Sequence, residues 1–109
     1  MTSVIVYSIR TAESFGDVYI EQIRIADSDK TLNELTDQES IEIGKDVCND
    51  TKSWLDEKSS LVSIQMILMK NKINIKLEDR ILPIIRFQSI YELCPENISI
   101  LEEIFKKNE

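Results

Sequence analysis

The chain has 109 residues, 42% hydrophobic and 30% charged, with 20 acidic and 13 basic residues and a net charge of −7. That balance describes one globular domain over residues 1–109, large enough to bury its own core, and excludes a disordered chain. The chain has no histidine and only two glycines, which excludes Ser-His-Asp and Cys-His catalysis, imidazole metal ligands and any glycine-rich phosphate loop.

Val4-Ile5-Val6-Tyr7-Ser8-Ile9 is β-branched and aromatic on both faces and reads as a strand. Glu13 to Asp17 supplies a turn. Val18 to Ala26 follows, with Tyr19, Ile23 and Ile25 on one face and Val18 and Ile20 on the other. The two segments predict an antiparallel hairpin. Thr31 to Leu35 has the length of one short helical turn.

Thr36-Asp37-Gln38-Glu39 is the clearest local signal, a capping box that opens a helix at Asp37. The spacing predicts that this helix runs to about Glu57. It places Ile41, Ile43, Val47, Cys48, Trp54 and Leu55 on one apolar arc, where Trp54 is expected to be core. Gly44 lies inside that arc and is expected to mark close packing against a strand.

Leu61 to Met69 fits two readings. As a strand it aligns Val62, Ile64, Met66 and Leu68; as a helix it aligns Leu61, Ile64 and Leu68. The strand is favoured, because Lys70-Asn71-Lys72 reads as a turn and Ile73-Asn74-Ile75-Lys76-Leu77 then alternates. Met66 and Met69 are accordingly expected in the core, although methionines in such a run also suit an adaptable binding surface. Arg80 to Phe87 reads as a further strand, with Pro83 placing it at an edge or bulge. Pro95 opens a last helix, with Ile98, Leu101, Ile104 and Phe105 at helical spacing and Lys106-Lys107 at its end. The expected fold is a single α+β domain in the order ββαβββα. In it, an antiparallel or mixed sheet of about five strands carries two helices.

The first residues lack the basic and apolar regions of a secretory signal, and no apolar run approaches the ~20 residues that span a bilayer. A cytoplasmic location with no membrane contact is expected, and Cys48 and Cys94 are expected there as buried thiols. No EF-hand pattern occurs, and two thiols are too few for a zinc site, so no metal and no cofactor is expected.

Charge is the functional signal. Ten acids and three bases lie between Asp27 and Glu57, so this segment carries the whole imbalance. On a helical wheel Glu39, Glu42, Asp46, Asp50 and Glu57 share an arc of about 80°, with Lys45 and Lys52 well away from it. Like charges at i,i+4 cost helix stability, and interleaved signs would serve solubility as well. A solvated acidic face is the plain reading; a docking face for a basic partner is the functional one.

Three classes of function follow. The first is a non-enzymatic inhibitor whose carboxylates cover the cationic site of a basic partner, most concretely an immunity protein or antitoxin for a nuclease toxin. A phage-type inhibitor of a nucleic-acid-binding protein would use the same physics. The second is a non-catalytic, homodimeric subunit or adaptor, pairing through an edge strand such as Arg80 to Phe87. The third is an enzyme using carboxylates or a Cys94 thiolate ahead of a helix. Lys70, Lys72 and Lys76, with Arg80 and Arg86, form the basic part of the chain. Direct nucleic-acid binding is not expected at this net charge.

Overall fold

The computed structural model describes residues 12–106, which form five α-helices and two 3₁₀ turns joined by irregular segments, and none of these residues is in a strand. The α+β expectation, with its five-stranded sheet, is overturned: the described residues are all-helical, with no sheet. The strand expected at Val4 to Ile9 lies outside the described residues. The helices are α1 (Ala12–Ala26), α2 (Asp37–Asp50), α3 (Glu57–Lys70), α4 (Ile81–Leu93) and α5 (Ile98–Lys106).

In α1 the expected hairpin fails on one residue. Tyr19 and Ile23 are fully buried, as a strand or a helix would have them, but Ile25 is 70% exposed. Burial at i and i+4 with exposure at i+6 is the helical period. Apolar residues on both sides of a short segment had made alternation look plausible. After α1 the chain turns on Asp27, whose carboxylate accepts from the amides of Thr31 at 2.9 Å and Leu32 at 2.8 Å. Arg24 donates to the carbonyls of Leu32 and Leu35 and reaches Asp37 at 3.2 Å, tying this loop to α1 and α2.

The capping box is present as expected: Glu39 N donates to Thr36 Oγ1 and Thr36 N to Glu39 Oε1. The helix it opens is shorter than expected. It stops at Asp50, gives way to a 3₁₀ turn at Thr51–Ser53, and the backbone is extended at Trp54. Trp54 is core, as expected, but Leu55 is 71% exposed because it lies beyond the helix that would have turned it inward. A second reciprocal cap follows. Ser59 N donates to Asp56 Oδ1 and Asp56 N to Ser59 Oγ, which opens α3 at Glu57.

Leu61 to Met69 is therefore helix and not strand. Ser60, Ile64, Ile67 and Leu68 are buried, while Met66 and Met69 are exposed. The core expectation for the two methionines fails with the strand. Residues 71–80 alternate between half-buried and exposed, with Ile73, Ile75 and Leu77 turned to the core. The alternation is real, but among the described residues no strand pairs with it; the Ile75 carbonyl instead accepts from Gln65 Nε2 at 2.9 Å.

The strand expected at Arg80 to Phe87 is the first half of α4. Pro83 sits in its first turn, where a missing amide breaks no helical hydrogen bond. Ile81, Leu82, Ile85, Arg86, Ser89 and Ile90 are buried, the pattern of a helix packed on several sides. α1, α2 and α3 all pack against α4. The last helix forms as expected, with Leu101 and Ile104 buried and Ile98 and Phe105 packed on the core.

Two positions show how closely these helices approach. A Cβ added to Gly44 would lie 2.5 Å from Leu93 Cδ1 and 2.9 Å from Tyr19 Cζ. The glycine therefore marks close packing against two helices and not against a strand. Ala favours an ordinary helix interior over Gly by ~1 kcal/mol. Here Gly44→Ala is expected to destabilise by about 1–3 kcal/mol in urea titration, because the ring of Tyr19 cannot move aside cheaply. The second position is the Cys pair. Cys48 and Cys94 are joined as a disulfide between α2 and the end of α4, with Cα atoms 6.0 Å apart. The expectation of two free thiols is thus corrected; sequence shows the number of cysteines but not which ones meet.

Candidate functional site: the acidic face of α2

Four of the five carboxylates singled out by sequence do share one face. Glu39, Glu42, Asp46 and Asp50 are all exposed on α2. The fifth does not belong to it. Glu57 opens α3, and its carboxylate stands 3.6 Å from the guanidinium of Arg86. The helix that was expected to carry all five ends seven residues before Glu57.

The face is built on a rigid support. The capping box fixes its first turn, and Ser40, Ile43, Gly44 and Val47 bury its inner side. Thr51 Oγ1 donates to the Val47 carbonyl at 2.8 Å where the helix ends. The bridge from Cys48 to Cys94 then holds its second half to α4. Such a support spares the backbone the cost of ordering on binding.

Local contacts engage part of the face. Glu39 serves the capping box. Glu42 accepts from Gln38 Nε2 at 2.8 Å and lies 3.8 Å from Lys45 Nζ, so Lys45 is not as remote as the wheel suggested. Ser63 Oγ donates to Asp50 Oδ2 at 3.2 Å, a link from α2 to α3. The exposed Glu42–Lys45 ion pair contributes little and neutralises only part of the row. The face therefore keeps its negative field.

Two features escaped sequence reasoning. Arg86 is buried inside α4, 2% exposed, beneath the rings of Phe87 and Phe105 at 5.2 and 4.9 Å. Burial lowers its pKa, and the nearby Glu57 carboxylate opposes that shift. An arginine in a segment taken for an edge strand had no reason to be placed inside. Beside the disulfide lies a cleft of about 210 Å³ lined by Asn49, Lys52, Glu96 and Asn97 with both cysteines.

Cys94 is bonded to Cys48 and 3% exposed, which withdraws the thiolate that an enzyme reading would have used. Tyr19 is also buried; burial pushes its phenol up to about 12, with the Ser89 hydroxyl offsetting part of the rise. Among the described residues, no group of three or more His, Cys, Asp or Glu side chains is placed to hold a metal ion. No described helix is long and apolar enough to cross a membrane. No protein-family model, curated protein or solved structure matches this chain.

Proposed function

We propose that the protein is a non-enzymatic inhibitor that covers the cationic site of a basic partner with the outer face of α2. The observation that carries this reading is the placement of Glu39, Glu42, Asp46 and Asp50 on one exposed face of a helix capped at its start and anchored through Cys48. A preorganised row of carboxylates resembles a phosphate backbone in charge, so a nuclease toxin, countered by an immunity protein or antitoxin, is the most concrete partner. A phage-type inhibitor of a nucleic-acid-binding protein would dock in the same way. The homodimeric adaptor loses its support, because the edge strand it needed at Arg80 to Phe87 is a largely buried helix. A cytoplasmic setting stays part of the proposal. There the Cys48–Cys94 bridge is open to reduction, and the protein would have to work with it either closed or open.

The test is affinity capture at low and high salt with the wild type and with the Glu42→Lys, Asp46→Lys, Asp50→Lys triple variant. A basic partner should be retained in stoichiometric amount at low salt and released at high salt. For that partner the triple variant should bind at least about a hundredfold more weakly by titration calorimetry, while its thermal unfolding stays near wild type. Unaltered affinity in the variant would sink the proposal.

A further inference from the structure

The molecule carries a second face of opposite character. Between Lys58 and Leu77 the chain has four lysines, Lys58, Lys70, Lys72 and Lys76, and no acid, in a protein whose net charge is −7. All four are exposed. On α3, Lys58, Val62, Met66 and Met69 fall within an arc of about 80°, opposite the buried Ser60, Ile64, Ile67 and Leu68. Met66 and Met69 are 56% and 53% exposed. The outer side of α3 is thus apolar where a surface helix is ordinarily polar.

Where α3 ends, the face becomes concave. Met69, Lys72, Ile73 and Asn74 line a cleft of about 170 Å³. The chain enters it through a Schellman turn, in which Lys72 N donates to the Met69 carbonyl and Ile73 N to the Leu68 carbonyl, both at 3.0 Å. Lys72 occupies the left-handed position of that turn, with φ of 65°. Glycine is the favoured residue there, so a lysine at the lip of the cleft is held at a cost to the fold.

We propose that this face docks an acidic segment of another protein that carries one bulky apolar anchor residue. The anchor enters the cleft against Met69 and Ile73, and flanking carboxylates meet Lys58, Lys70, Lys72 and Lys76. Methionine suits such a surface because its flexible, polarisable side chain adapts to differently shaped anchors. Charge complementarity selects the partner's sign, and the cleft selects a side chain in preference to a lipid surface, which needs a protruding wedge.

The test is selection from a random peptide library on the intact protein. The enriched peptides should combine Asp or Glu with a large apolar residue. Their binding should weaken at least about tenfold in the Met66→Glu, Met69→Glu double variant, whose substitutions are on exposed positions. Lys72→Gly should also weaken binding while raising the melting temperature, a combination that a purely structural lysine would not show. The α2 triple charge reversal should leave this binding intact. Enrichment of peptides without that character, or affinity unmoved by the Met66 and Met69 changes, overturns the proposal. So does binding to phosphatidylserine vesicles without peptide binding, or self-association by light scattering that the double variant abolishes.

Discussion

Removing the Cys48–Cys94 bridge is expected to cost the folded protein about 2–4 kcal/mol while leaving it helical. The bridge joins residues 46 positions apart, from the second half of α2 to the C-cap of α4. Closing a loop of that length in the unfolded chain removes entropy worth ~4 kcal/mol at 25 °C, and measured gains often fall below that ceiling. The apolar contacts around it do not depend on the sulfurs. Ile43 and Val47 of α2, Ile90 of α4 and Leu101 and Ile104 of α5 belong to the same buried core. Urea titration of the Cys48→Ala, Cys94→Ala double variant, and of the wild type with and without reductant, checks this. The far-ultraviolet circular dichroism should persist, and the midpoint should fall by the same amount in both experiments. An unchanged midpoint on adding reductant would show that the bridge does not constrain the protein in solution. The result also bears on the proposed cytoplasmic setting: a loss of this size is a large share of a small domain's stability.

Arg86 is expected to give two opposite results according to what replaces it. Arg86→Ala should destabilise by about 3–5 kcal/mol, because it opens a cavity under Phe87 and Phe105 and removes the bond to Ser60. Arg86→Met should be neutral or stabilising, within about 1.5 kcal/mol of wild type. The reason is incomplete pairing of the charge. Arg86 Nη1 donates to Ser60 Oγ at 2.8 Å, but Nη2 stands 3.6 Å from Glu57, and Nε is buried without a hydrogen-bond partner. Burial works against the charged form, as the lowered pKa records. Ser60 loses little in the exchange, since its hydroxyl already donates to the Glu57 carbonyl at 2.6 Å. Thermal and urea unfolding of both variants checks the contrast. A large loss with Met would mean that the charge itself, and not the volume, holds α3 to α4.

Local signals with a defined geometry were legible in the sequence. The Thr36–Glu39 box found its helix because it needs only four consecutive residues. Pro95 and the spacing of Ile98, Leu101, Ile104 and Phe105 located the last helix for the same reason. The acidic face was legible as far as α2 continues. It failed at Glu57, where a 3₁₀ turn breaks the register that the wheel assumed. The Asp56–Ser59 cap was visible in principle, but a serine in place of the usual Glu or Gln at the third position disguised it.

Alternation misled most where apolar residues crowd both sides of a segment. In residues 71–80 it reported burial correctly and backbone pairing wrongly, because an extended chain can turn alternate side chains inward without a neighbouring strand. In α4 the near-continuous apolar run reads as a strand, and Pro83 places that strand at an edge or bulge; yet the same proline suits the first turn of a helix surrounded by others. The sequence by itself determined the charge imbalance, the absence of histidine chemistry and the cap that starts α2. Only the tertiary structure decided that α4 is a helix ringed by α1, α2 and α3, that Arg86 lies inside and that Cys48 meets Cys94. Those outcomes depend on contacts between residues far apart in the chain, whose burial outweighs the weak local preference of a short apolar segment.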